Sequence, residues 1–76
     1  MKLLLVEDDP TLADGIAEFL RGQGDEVTTE DDGMRADRLL QENAFDFVLL
    51  DLGLPGLGGY EVVRRIRKRG QRMPVI

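Results

Sequence analysis

Apolar positions along the chain follow two kinds of pattern, and the two alternate. Lys2 to Val6 ("KLLLV") and Phe47 to Leu50 ("FVLL") are short, nearly unbroken apolar runs, as parallel strands covered on both faces present. After the first run, Leu12, Ile16, Phe19 and Leu20 recur at helix spacing. Asp9 stands there as an N-cap, Pro10 at the first helical position and Gly24 near the stop. Met34, Ala36, Leu39 and Leu40 give a second helical period behind "EDDG", closing near Asn43. Val27 to Thr29, rich in β-branched residues and set between these helices, reads as a short strand. Val62, Val63 and Ile66 mark a third helix that closes in Arg67, Lys68, Arg69 and Gly70, where a helix C-terminus favours positive charge and a glycine. Met73 to Ile76 ("MPVI") then reads as the first residues of a fourth strand.

The order β-α-β-α-β-α-β predicts an α/β fold, an open parallel sheet wrapped by helices through right-handed crossovers. No internal repeat, low-complexity tract or linker interrupts it, and 76 residues make one domain at most. A chain this short buries only about 60% of the surface of its unfolded form, so marginal stability is expected. In such a sheet functional groups gather beyond the carboxyl ends of the strands, where the strand order reverses.

Composition narrows the chemistry. The chain is 42% hydrophobic and 33% charged, with no apolar run near the roughly 20 residues that span a bilayer, and Met1 to Val6 is too short for a signal peptide. A cytoplasmic protein without membrane contact is the expectation. Absence of cysteine removes disulfides and thiolate chemistry, and absence of histidine removes imidazole bases, the usual zinc sites and any phosphohistidine. Carboxylates are left as the reactive groups. A net charge of −5 is the wrong sign for neutralising nucleic-acid phosphates, so this segment should not bind DNA directly.

The acids sit where the sheet argument looks for them. The first strand ends in Glu7, Asp8 and Asp9, and the "FVLL" strand ends in Asp51, which is followed by a loop of four glycines and Pro55. If these strands are neighbours, about 4.8 Å apart, the carboxylates converge and repel until one is protonated or a cation arrives. Magnesium suits two carboxylates, a carbonyl and several waters, and the Gly53 carbonyl is placed to be that third oxygen. Asp9, directly before Pro10, is better explained as the helix cap, leaving Asp8 as the direct ligand and Glu7 as an assistant through water or a solvated acid. Asp51 taken alone could be a turn or cap acid, but Gly58 and Gly59, at the start of the next helix, lie too far on for Asp51 to cap it. A strand-end carboxylate beside a cation, with backbone N–H groups nearby, meets the needs of a phosphoryl acceptor.

"LLLVEDD", "DDG", "FDFVLLDLGLPGLGGYEVVRRIR" and "PVI" together resemble the receiver domain of bacterial two-component response regulators, over the whole chain. The style of "VEDD" and "RRIRKRGQRMPVI" looks most like receivers of the OmpR/PhoB class, which are fused to winged-helix DNA-binding domains. The resemblance implies a flavodoxin-like sheet of order 2-1-3-4-5, with the first and third strands adjacent. It implies Asp51 as phosphoacceptor, Asp8 as a magnesium ligand, Glu7 as its acidic partner and Gly53 as a carbonyl ligand. It also implies a sensor histidine kinase as donor and a DNA-binding output domain beyond this chain. Where the family often has Asp before the loop's last glycine, this chain has Gly58, a poorer cap.

On that resemblance residues 1–76 are a partial receiver, truncated at the start of the fourth strand, before the family's hydroxyl residue and lysine. Slow phosphorylation, poor retention and self-association of the exposed faces are the expectations. The basic group Arg64, Arg65, Arg67, Lys68 and Arg69 reads as a solvated helix end, and Glu30, Asp31 and Asp32 as a solvated turn. A haloacid-dehalogenase-like phosphatase would want a second Asp where Gly53 stands. A nucleotide-binding loop would want a third glycine where Glu61 stands. A purely structural fragment is the remaining alternative.

Overall fold

The computed structural model describes residues 1–54 and 56–76, so Pro55 of the glycine loop lies outside the described residues. Strands β1 (Lys2–Val6), β2 (Glu26–Glu30) and β3 (Phe47–Leu50) alternate with helices α1 (Pro10–Gly22), α2 (Gly33–Glu42) and α3 (Gly59–Lys68). All pairings are parallel and the order is β2-β1-β3, which makes β1 central and β3 its neighbour. The fold is the flavodoxin-like α/β arrangement that the sequence implies. Val75 bridges Val48 in parallel, and the Ile76 N–H donates to the Val48 carbonyl at 3.0 Å, so the expected fourth strand begins beyond β3.

Register and crossover hand together assign the two faces. Val27, Leu3 and Phe47 form one row and Thr29, Leu5 and Leu49 the next, on the face that α1 covers with Ala13 and Ala17. Leu4, Val48, Val6 and Leu50 face the other way, onto Ala36 and Leu40 of α2 and Val62 and Ile66 of α3. The step from β1 to β2 runs opposite to the later steps, so right-handed connections put α1 on one face and α2 and α3 on the other. β1 is apolar throughout because both of its faces are covered.

The caps follow the sequence. Asp9 Oδ1 accepts from the Thr11 N–H at 3.0 Å and the Leu12 N–H at 3.3 Å, and Pro10 opens α1. Asp32 caps α2 by accepting from the Arg35 N–H, and Gly58 caps α3 with no side-chain bond. Gly24 and Gly70 follow their helices at positive φ.

Burial and pairing add detail at three places. Leu12 and Phe19 keep helix spacing but are 49% and 65% exposed, and Met34 is exposed as well. The face of α1 that meets the sheet is instead Ala13 and Ala17, flanked by Ile16 and Leu20, because small residues let the helix lie close to β1 and β2. The acidic turn is solvated and also internally bonded: Glu30 Oε2 accepts from the Asp31 and Asp32 backbone N–H groups and from Arg35 Nε, and Arg35 Nη2 also donates to Asp31 Oδ1. The basic helix end is engaged too. Arg64 pairs with Glu61, whose carboxyl it holds down to about 2, and Arg67 donates to the Gln71 and Met73 carbonyls. Arg65 and Arg69 reach Asp37 across the α2–α3 interface.

Candidate functional site

Two backbone hydrogen bonds extend the ladder one residue past the strands and so set the site. The Asp51 N–H donates to the Val6 carbonyl at 2.9 Å, and the Glu7 N–H donates to the Glu30 carbonyl at 2.9 Å. Glu7 and Asp51 are thereby held side by side at the carboxyl edge of the sheet, half-buried, with Asp8 exposed between them and solvent. One carboxylate oxygen from each of Glu7, Asp8 and Asp51 lies within 4.8 Å of the other two. The convergence that depended on strand order is therefore present, and among the described residues it is the only such cluster.

The electrostatics are those of crowded like charges. The Asp9 N–H, donating to Glu7 Oε2 at 3.0 Å, pulls the Glu7 carboxyl down, but burial, the Asp8 side chain and the Asp51 charge together outweigh it and raise its pKa. Asp51 is not a helix cap, since Gly58 holds that place, and its Oδ1 accepts from the Gly53 N–H at 2.9 Å. Asp9 stands apart from the cluster with its Oδ1 turned to the α1 amides.

The donor set fits a hard divalent ion. Oxygens around one Mg2+ at about 2.1 Å stand about 3.0 Å apart when adjacent and about 4.2 Å when opposite. Three oxygens already gathered within 4.8 Å need only small side-chain rotations to reach that spacing. Glu30, Asp31 and Asp14 line a cleft of about 370 Å3 that opens beside Glu7 and Asp8, adding negative potential that draws cations. Gly53 is brought next to Asp51 through its N–H.

Sequence reasoning missed the buried Asp37, which accepts from Arg69 Nη1 at 2.7 Å and Arg65 Nη1 at 3.3 Å and clasps α2 to α3. The one available signal was the i,i+4 spacing of Arg65 and Arg69 on a single helix face.

The chain matches the response regulator receiver domain over residues 3–76. It is 43% identical over 76 residues to the transcriptional regulatory protein TctD of Salmonella typhimurium, covering all of this chain and 34% of that protein. It thus spans about a third of the length of the curated relative. Among solved structures, the receiver domain of a sensor histidine kinase from Pseudomonas aeruginosa PAO1, with magnesium coordinated in its active-site cleft, superposes with a TM-score of 0.92 at 39% identity, over 97% of this chain and 62% of that one. Response regulator TrrA from Thermotoga maritima, in complex with Mg2+ and BeF, gives a TM-score of 0.91 at 31% identity, over 97% and 64%. A parallel β2-β1-β3 sheet, acids converging at its carboxyl edge and this match from end to end lead to one conclusion: the chain belongs to the response regulator receiver domain family, a family of signalling rather than catalysis.

Proposed function

We propose that this chain is the phosphoacceptor portion of a two-component response regulator, with Asp51 receiving the phosphoryl group and Mg2+ held by Glu7, Asp8, Asp51 and the Gly53 carbonyl. The observation that carries this reading is the gathering of three carboxylates from two strand ends around an Asp51 that caps nothing. Mg2+, when bound, offsets the charge of these carboxylates and of the incoming phosphoryl oxygens. The Gly53 N–H fixes Asp51 Oδ1 and leaves the other oxygen to attack phosphorus. The bond from phosphorus to the donor nitrogen breaks, its electron pair leaves with that nitrogen, and an acyl phosphate remains on Asp51. The chain acts in this step as an acceptor substrate and not as a turnover enzyme.

The donor in this reading is a sensor histidine kinase, and residues 1–76 hold no histidine of their own. Residues 1–76 form the N-terminal part of the receiver, and DNA is reached through an output domain outside this segment. A transcriptional regulator among the relatives and the net charge of −5 support that division. Among the described residues no helix is long and apolar enough to cross a membrane; action in the cytoplasm is part of the same reading. Self-association through the uncovered sheet face is part of the same reading.

The test is incubation with Mg2+ and a small acyl phosphate, followed by intact mass beside Asp51→Asn. One added phosphoryl group, absent in the variant and absent without Mg2+, is the expected outcome. A folded chain that gains nothing, or gains equally in the variant, overturns the assignment.

A further inference from the structure

We infer that Gly59 is a positioning residue for Asp51: its missing side chain lets the first turn of α3 press against the Asp51–Leu52 backbone and fix the angle at which Asp51 and Gly53 leave β3. This rests on the phosphoacceptor reading above. A Cβ built on Gly59 would lie 2.7 Å from Leu52 Cα and 2.8 Å from the Asp51 carbonyl oxygen, both backbone atoms with no side-chain rotation to relieve them. Regaining the 3.4 Å of an ordinary contact moves that backbone by about 0.7 Å at Leu52 Cα and about 0.6 Å at the Asp51 oxygen. Backbone conformation does not call for glycine there, since positive φ among the described residues is confined to Gly24, Gly56 and Gly70. The contact itself is the requirement.

The loop that Gly59 closes is pinned at two further points. Leu54, 7% exposed, is anchored in the core with Leu50 and Val62. At the far end, a Cβ on Gly33 of α2 would stand 1.9 Å from the Leu57 carbonyl oxygen, so α2 also lies directly on the loop backbone. Gly59 touches the segment before the Leu54 anchor and Gly33 the segment after it. A methyl at 59 therefore disturbs Asp51 and Gly53 directly, whereas one at 33 is partly insulated by Leu54. Gly22 of α1, with nothing within 4 Å, is the matching control.

The experiment compares the whole chain with Gly59→Ala, Gly33→Ala and Gly22→Ala. Without metal, amide exchange is read at Gly53, whose N–H is bonded to Asp51, against the strand amides of Leu5 and Val48. With metal, the Mg2+ midpoint is read from the Gly53 amide shift. Gly59→Ala is expected to speed Gly53 exchange selectively and to raise the Mg2+ midpoint about tenfold, the low end of what losing an outer support costs a metal site. Gly33→Ala should move both readouts in the same direction by less, and Gly22→Ala should move neither. A uniform acceleration of all amides in Gly59→Ala, with an unchanged Mg2+ midpoint, means a structural role only and overturns the inference. Should Gly59→Ala not fold, the unsubstituted chain decides: a strong nuclear Overhauser contact between the Gly59 and Leu52 α-protons is required, and its absence overturns the inference. Failure of Asp51 to take a phosphoryl group would sink the functional reading alone, since the exchange readout does not depend on it.

Discussion

Asp37 and Glu7 show how differently one side-chain type is treated by its surroundings. Asp37 is 4% exposed, and burial alone would push its carboxyl up; hydrogen bonds and charge from Arg69 and Arg65 outweigh burial and hold it below its ordinary value. A depressed folded-state pKa adds stability that is present above the unfolded value of 3.8 and is lost as pH falls below it. Asp37→Ala should cost about 3 kcal/mol at neutral pH, because both arginines lose their shared partner while keeping some access to water. Melting curves from pH 7 to about pH 3 should show a steeper acid loss in the parent chain than in the variant. Parallel curves would remove Asp37 from the account. Glu7 runs the other way: its raised pKa marks a carboxylate disfavoured as a charge, so the folded state loses stability as pH rises above 4.5. Glu7→Gln should therefore raise the melting temperature without Mg2+ by a few degrees and shrink the further rise that Mg2+ gives. An unchanged Mg2+ response would exclude Glu7 from the proposed ion site. Glu7, Asp8 and Asp51 were legible in the sequence because acids at the ends of apolar strands are conspicuous. Asp37 was not, since a helical acid among polar neighbours gives no sign that a later helix will cover it.

At the scale of elements, the pattern fixed where helices and strands lie more firmly than which faces they bury. The two apolar runs and the β-branched segment Val27–Thr29 became strands with little change, β2 gaining a residue at each end to span Glu26–Glu30. Their identity needed only local composition, and β1 has apolar residues on both faces because both of its faces are covered. α1 is the instructive case. Its large apolar residues Leu12, Ile16, Phe19 and Leu20 recur at helix spacing, yet Ala17 is 1% exposed and Phe19 is 65% exposed. Helix period gives the spacing of a stripe and not its centre, and the centre falls on the residues small enough for a close approach to β1 and β2. Ala17→Leu should consequently cost about 2 kcal/mol, roughly ten degrees in melting temperature, through overpacking against Leu3, Leu5 and Val27. A Leu accepted at position 17 without loss would mean that α1 rides farther from the sheet than described. Gly33 and Gly59 belong to this scale too, because "DDG" and "LGG" announce turns but cannot announce which backbone will press on them.

For the molecule as a whole, the two faces of the sheet are unequally covered. α2 and α3 share one face, whereas α1 alone serves the other and lies mainly over β1 and β2. Phe47 and Leu49 of β3 remain half-buried beside Ile16 and Leu20, and Leu49 joins Leu12, Gly15 and Phe19 in an apolar groove of about 540 Å3. Gly15 sits there with nothing within 4 Å, leaving room for another backbone to approach. A second copy of this chain would meet that surface with the same apolar residues, so a pairing about a two-fold axis would be self-complementary. Burying one Phe side chain contributes about 2 kcal/mol, and so small a patch falls short of the roughly 1,000 Å2 of a tight interface. Weak, concentration-dependent association is the expectation. Light scattering between about 10 µM and about 1 mM should show the mean mass rising above 8.5 kDa only near the upper end, because two buried Phe side chains contribute about 4 kcal/mol, a Kd of about 1 mM. Phe19→Lys should return the chain to a single copy without lowering its melting temperature, because Phe19 contributes little to the chain's own core. A mass of one chain throughout the range would show that the uncovered face is tolerated by the isolated molecule. An association that survives Phe19→Lys would move the contact elsewhere, to the open edges at β2 or beyond Val75.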